Sequence, residues 1–266
     1  MFSLPDTQTT VIASDEIKPL EKTGTSGLRK VVPRPPSPEP LSRRNWYVAA
    51  KPALDTILAL LLAFVTLPVL LLAAVLVKLT SRGPVLYSQI RLGRHGKPFS
   101  IYKLRTMYHE CERVSGVCWS QPGDPRVTPL GRLLRATHLD ELPQLWNILR
   151  GDMSIVGPRP ERPEFASSLE RAIPEYANRL LVRPGVTGLA QVQLPPDSDL
   201  ASVRLKVAHD LYYLRHFSCW LDVRILACTA LHLFGIPCHA LCRALLRTDR
   251  EPLPATPPSA IERRFR

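Results

Sequence analysis

Several things are scarce in these 266 residues, and each scarcity excludes something. Cysteine occurs six times (Cys111, Cys118, Cys219, Cys228, Cys238, Cys242), too thinly for the disulfide framework of a small secreted domain. No cleavable signal peptide opens the chain, so reduced thiols in a cytosolic environment are expected. The run Cys228, His232, Cys238, His239, Cys242 matches no common zinc spacing and reads as small residues in an apolar segment. No dinucleotide or P-loop glycine pattern and no internal repeat occur. Acidic residues are in deficit: 23 Asp and Glu stand against 35 Lys and Arg, a formal net charge of +12. That balance calls for anionic partners, whether nucleic acid, acidic lipid headgroups or phosphorylated substrates. A generic nucleic-acid surface more often shows Lys/Arg runs or aromatic–basic interleaving, whereas the basic residues of the motifs below are spaced singly among Pro and Gly.

What is plentiful is apolar. Hydrophobic residues make up 45% and charged residues 22%, which excludes a wholly disordered chain. Proline, at 27 residues, is twice the usual ~5%. Residues 1–45 are polar and Pro-rich, ending in Val32-Pro33-Arg34-Pro35-Pro36, and read as a flexible or polyproline-like tail. Residues 248–266 look similar. Between Thr56 and Val77 lie 22 residues without a charge, long enough for a membrane helix. Basic residues flank both sides, Arg43, Arg44 and Lys51 before it and Lys78, Arg82, Arg91, Arg94 and Lys97 after it, which a simple crossing cannot reconcile with the positive-inside tendency. Pro68, in the middle of the run, kinks or breaks a helix. The two observations favour a helix that enters, bends and returns to the cytoplasmic face. Beyond it, Val85–Gln89 and Phe99–Leu104 read as a hairpin around Gly93–Lys97. Residues 128–150 and 199–232 read as helical. Ile225 to about Leu241 reads as a core or interface-lying helix.

The densest chemistry is Arg135-Ala136-Thr137-His138-Leu139-Asp140-Glu141-Leu142-Pro143. Two carboxylates at a predicted helix start stay ionised in the field of the N-terminus. They suit either capping, with Thr137 three residues before Asp140, or chemistry. Arg159 sits between Pro158 and Pro160, and Arg183 precedes Pro184-Gly185. Proline stiffens the backbone around such guanidinium groups, and rigid guanidinium groups suit phosphate oxygens. Lys103 and Arg105 bracket Leu104. Basic residues set singly among Pro and Gly fit a pocket for a small diphosphate.

These motifs together resemble the bacterial sugar transferases that are monotopic polyprenyl-phosphate phosphoglycosyl transferases. The resemblance covers residues 47–233. It runs through Thr80–Val85, Tyr102–Met107, Leu139–Leu145, Gly151–Ser154, Gly157–Pro160, Arg183–Gly188 and Asp210–Tyr213. It implies an α+β, mostly helical fold: a re-entrant membrane helix (46–82), then a compact cytosolic catalytic domain (83–247) with a short β-hairpin. It implies a UDP-sugar and polyprenyl phosphate as substrates, Mg2+ as cofactor, Asp140 as nucleophile and Glu141 beside the metal. Arg135, Lys103, Arg105, Arg159, Arg183 and Asp210 are the implied phosphate- and substrate-binding residues, and Asp140 and Glu141 the metal carboxylates. The implied place is the cytoplasmic face of the bacterial inner membrane, among membrane lipids, upstream of further glycosyltransferases, with no nucleic acid; an oligomer stays open. The family's usual Ser-Pro break is Leu67-Pro68 here, with Thr66 one place earlier. Glu161–Phe165 resembles members that transfer hexoses such as glucose or galactose. The larger members carry extra membrane helices before this region, so this chain reads as a compact member. The alternative class is a membrane-anchored basic protein binding acidic lipid or nucleic acid, in which the Asp-Glu dyad would have no role.

Overall fold

The computed structural model describes residues 46–109, 111, 123–173, 175–195 and 199–233. The expected tails, 1–45 and 248–266, and Cys238, His239 and Cys242 lie outside the described residues.

Helix α1 (Trp46–Thr80) is 35 residues long and includes both Pro52 and Pro68. Its backbone is helical throughout, so the helix begins ten residues before the uncharged run. Its buried positions fall at the two ends, Tyr47, Lys51, Asp55 and Ala59 at one and Ala73 and Val77 at the other. Between them the helix is apolar on its open faces, with Phe64 81% and Val65 70% exposed. The Thr66 hydroxyl donates to Leu62 O at 2.7 Å. Pro68 has no N–H for the Phe64 carbonyl, so Thr66 satisfies a different carbonyl from the one the proline frees.

Strands β1 (Leu86–Leu92) and β2 (Pro98–Leu104) form the expected antiparallel hairpin, with Leu86 opposite Leu104 and Leu92 opposite Pro98. The helical stretch expected over 128–150, with a helix start near Asp140, is three pieces: α2 (Pro129–Ala136), a 3-10 turn (Leu139–Glu141) and α3 (Gln144–Leu149). His138, with φ of 57°, takes the left-handed conformation and breaks the ladder, and Pro143 has no N–H with which to continue it. Thr128 caps α2, accepting from Gly131 N at 2.9 Å, with Pro129 in the first turn. Thr137 is no capping box: its hydroxyl turns back to Leu133 O at 2.9 Å.

A second sheet went unread in the sequence. Strands β3 (Ser154–Val156) and β4 (Gly185–Thr187) pair in parallel. At three residues each they are too short to show a period. Gly185 is required there, since a Cβ would lie 2.1 Å from Gly157 N. Helices α4 (Pro163–Ala172), α5 (Leu189–Gln193), α6 (Leu200–Arg215) and α7 (Cys219–Leu233) complete the unit, with a 3-10 turn at Tyr176–Leu181. The helix expected over 199–232 is thus two, separated at His216–Ser218. Asp199 and Ser202 form a capping box at the start of α6. Cys228 is fully buried in α7, as a small core residue.

The main core gathers α3 to α7 and β3. A smaller cluster joins Ala73 and Val77 to Leu104 and Leu134, so the end of α1 packs on β2 and α2. At the other end of α1, where Tyr47 and Ala59 join the main core, the contact is ionic as well. Lys51 Nζ reaches Asp222 Oδ2 at 2.5 Å and Asp55 Oδ1 at 3.4 Å. Ser154 Oγ donates to Asp55 Oδ2 at 2.7 Å, and the Tyr47 and Tyr213 hydroxyls donate to Asp222. Burying charge this deeply requires every member to be paired, and here each charge is.

Candidate active site

The site forms where β2 ends, the 3-10 turn 139–141 passes, and the Pro158-Arg159-Pro160 segment crosses. Asn147, fully buried on α3, accepts from Tyr102 N at 3.2 Å and donates to Ser100 O at 2.7 Å. That side chain fixes the strand just before Lys103. Lys103 Nζ donates to Glu141 Oε1 at 2.6 Å, and Arg159 Nη2 donates to the same oxygen at 2.9 Å. Burial alone would raise the Glu141 pKa, but the Arg159 and Lys103 charges and hydrogen bonds outweigh it and hold Glu141 far below the usual carboxylate range. Glu141 in turn raises the Arg159 pKa. Burial lowers that of Lys103.

Asp140 differs from its neighbour. It is buried and makes no ion pair among the described residues. Burial and the adjacent Glu141 push its pKa up; Lys103, Arg135 and His138 oppose the rise. Arg135 comes from the last turn of α2 and donates from Nε to Thr106 Oγ1 at 2.9 Å. Two adjacent carboxylates are therefore tuned apart, one locked in a cationic clamp and one left open. Lys103, Arg135 and Arg159 thus bring positive charge to bear on the two carboxylates.

The family model for bacterial sugar transferases matches residues 46–235. The chain belongs to the bacterial sugar transferase family. It is 49% identical over 177 residues to a UDP-glucose:undecaprenyl-phosphate glucose-1-phosphate transferase of Caulobacter vibrioides, covering 66% of each chain. It is 43% identical over 181 residues to the exopolysaccharide production protein PSS of Rhizobium leguminosarum, covering 66% of this chain and 90% of that one. It is 44% identical over 179 residues to a UDP-N-acetylgalactosamine-undecaprenyl-phosphate N-acetylgalactosaminephosphotransferase of Aeromonas hydrophila, covering 67% of this chain and 42% of that one. The chain thus spans from about two fifths to nine tenths of the length of these relatives.

Of the residues that family resemblance singled out, Lys103, Arg135, Asp140, Glu141 and Arg159 come together. The others are engaged elsewhere. β2 stops at Leu104, and Arg105 turns to donate from Nη2 to Ser81 O and Ser81 Oγ, each at 2.8 Å, tying down the end of α1. Arg183 lines a cavity of about 60 Å3 with Lys51, Asp55 and Arg94, beside the other end of α1. Asp210 is buried against Arg179, at 2.8 Å. Glu161 and Arg162 face the hairpin: Glu161 O accepts from Leu92 N at 2.9 Å, and its carboxylate lies 3.6 Å from Arg91.

Among the described residues no three or more His, Cys, Asp or Glu side chains gather as metal ligands. Asp140 and Glu141 are adjacent hard oxygen donors, and with Glu141 Oε1 taken by Lys103 and Arg159, the Asp140 carboxylate and the other Glu141 oxygen remain for a metal. That set fits Mg2+ that keeps phosphate and water ligands, the usual habit of this ion.

Proposed function

We propose that this protein transfers a sugar 1-phosphate from a UDP-sugar to undecaprenyl phosphate at the cytoplasmic face of the bacterial inner membrane, through a phosphosugar carried on Asp140. The observation that carries this reading is the contrast within the dyad: Glu141 clamped by Lys103 and Arg159, Asp140 beside it without an ion pair. A carboxylate left open and close to cations is suited to covalent catalysis. An Asp140 carboxylate oxygen attacks the sugar-bearing phosphorus. A new P–O bond forms, the P–O bond to the bridging oxygen breaks, and its electron pair leaves with UMP. A phosphate oxygen of undecaprenyl phosphate then attacks the same phosphorus and releases Asp140, giving a lipid diphosphate sugar. Lys103, Arg135 and Arg159 hold and shield the phosphoryl oxygens while the anionic nucleophile approaches. Mg2+, when bound at Asp140 and Glu141, spreads the charge of the diphosphate.

The membrane reading has its own support. A straight helix of this length would span about 52 Å, well beyond a ~30 Å hydrocarbon core. One folded unit nonetheless packs on both ends of α1, at Tyr47–Ala59 and at Ala73 and Val77. Both ends then belong on one side of the membrane, with the exposed stretch around Pro68 dipping into lipid. Exposed Trp46, Trp146 and Trp220 suit the headgroup layer. The small cluster that seats the end of α1 on Leu104 and Leu134, the neighbours of Lys103 and Arg135, supports a site close to that layer, within reach of a lipid phosphate. The name of the Caulobacter relative, a UDP-glucose:undecaprenyl-phosphate glucose-1-phosphate transferase, and the Glu161–Phe165 segment make UDP-glucose the first sugar to test. The lipid-linked product would feed glycosyltransferases that build an exopolysaccharide.

The experiment is trapping. Incubation with a UDP-sugar labelled in the sugar-bearing phosphate should label the protein and release UMP before any lipid acceptor is added. Asp140→Asn should do neither. Labelling of Asp140→Asn at the wild-type level would sink the assignment.

A further inference from the structure

Every carbonyl from Pro158 to Glu161 is held. Pro158 O accepts from Gly185 N at 2.9 Å, and Glu161 O accepts from Leu92 N at 2.9 Å. Pro160 O accepts from Arg91 Nη1 at 3.2 Å. Arg159 O accepts from Arg179 Nη2 at 2.8 Å. Arg179 lies in the 3-10 turn Tyr176–Leu181, a residue no sequence motif marked. Its side chain and that of Asp210 are only 2% and 3% exposed, and they form an ion pair at 2.8 Å. Nη1 donates to Tyr176 OH at 3.4 Å, and the guanidinium stacks on the Tyr176 ring, 5.2 Å from its centre.

A buried ion pair is a poor stabiliser, because desolvating two charges offsets most of their attraction. This one has a directional consequence. Asp210 Oδ2, 2.8 Å from Nη2 but not hydrogen-bonded to it, holds the guanidinium by charge, and with Tyr176 on Nη1 an N–H of Nη2 points at the carbonyl of the residue whose own side chain reaches Glu141. The prolines on either side lock their φ angles, so the carbonyl direction of Arg159 and the origin of its side chain move together. We infer that Arg179, oriented by Asp210, is a positioning residue that sets the backbone of Arg159 and so brings its guanidinium onto Glu141 Oε1. This rests on the transferase reading above.

The test uses the full chain in nanodiscs of bacterial lipid. The pair is replaced together, Arg179→Met with Asp210→Leu, so that no buried charge is left alone and the fold is retained. The paired variant should melt close to wild type, while UMP release from UDP-glucose falls roughly 10- to 100-fold, the penalty of displacing a positioned group by about 1 Å. In an Arg159→Ala background the same replacement should lower the rate by less than about twofold, because a residue acting through Arg159 has nothing left to act on. Wild-type activity in the stable paired variant, or an undiminished loss in the Arg159→Ala background, would overturn the inference. If the paired variant does not fold, Arg179→Lys, which keeps the charge and loses the fork, takes its place in the same comparison. A wild type that releases no UMP from any UDP-sugar refutes the transferase reading instead. Calorimetric binding of UDP to the same variants then carries the comparison, with roughly tenfold weaker binding in the paired variant and no further weakening in the Arg159→Ala background.

Discussion

Replacing Lys103 with Met tests the electrostatics of the dyad directly. The Lys103 ammonium sits 2.6 Å from Glu141 Oε1, and Met keeps much of its apolar stem while removing the charge. Arg159 stays on the same oxygen at 2.9 Å, so Glu141 is not left alone in the interior. A hydrogen bond to a charged group contributes about 1.5–3 kcal/mol. Expressed fully in the transition state, that is a loss of roughly 10- to 150-fold. A second effect changes the pH dependence. Burial and Glu141 already raise the Asp140 pKa, and Lys103 is one of the charges that restrain it. Without Lys103 the Asp140 pKa rises further, so the acid limb of the labelling rate moves to higher pH, and part of the loss is recovered in alkaline buffer. Quenched labelling from a UDP-sugar, followed over roughly pH 5 to 9, resolves both effects. A rate within about twofold of wild type throughout would refute the clamp, and a large loss identical at every pH would refute the restraint on Asp140.

Three further outcomes are expected. Cysteines placed at Trp46 and at Arg82, both exposed, should react with an impermeant maleimide only from the cytoplasmic side; strong periplasmic labelling of either would mean a crossing helix. Gly131→Ala would put a Cβ 2.0 Å from Thr106 O, and should destabilise by about 1–3 kcal/mol while lowering activity, because Thr106 holds Arg135; a wild-type melting temperature would refute that packing. Glu141 has its folded pKa below the ordinary value of 4.5, so its contribution to stability is complete above that value and fades as pH falls below it. The gap in melting temperature between wild type and Glu141→Gln should therefore narrow on acidification from pH 7, and a gap that widened would reverse the assigned direction.

Much of the chain was legible because local rules operate locally. The hairpin follows from strand-forming residues around Gly93–Lys97, and it occurs within a residue of the expected ends except that β1 runs on three residues past Gln89, to Leu92. Thr128-Pro129 marks a helix start by its cap and its missing N–H. The residues that failed to read were governed by distant partners. His138 takes a left-handed conformation that nothing in a helical run announces, and it turns the expected helix start into the bend that presents Asp140 and Glu141. Arg105 was expected beside Lys103 at the site, since the two bracket Leu104, but it lies just past the end of β2 and Ser81 claims it. Arg179, alone in an ordinary stretch, gave no signal at all. Ser154 was visible within Gly151–Ser154, but its link to Asp55, 99 residues away, was not.

Hydropathy, charge placement and motif order, all properties of the chain read residue by residue, determined that a long apolar helix precedes a mostly helical unit of this family, and they pointed to Lys103, Arg105, Arg135, Asp140, Glu141, Arg159, Arg183 and Asp210 as candidate site residues, of which the fold gathers Lys103, Arg135, Asp140, Glu141 and Arg159. Only the tertiary structure decided what surrounds each of them. Adjacent Asp140 and Glu141 diverge because the end of β2 and the Pro158–Pro160 segment deliver two cations to the same oxygen of one carboxylate and, among the described residues, none directly to the other. A pKa depends on distance and burial, and those exist only once segments far apart in the chain have packed together.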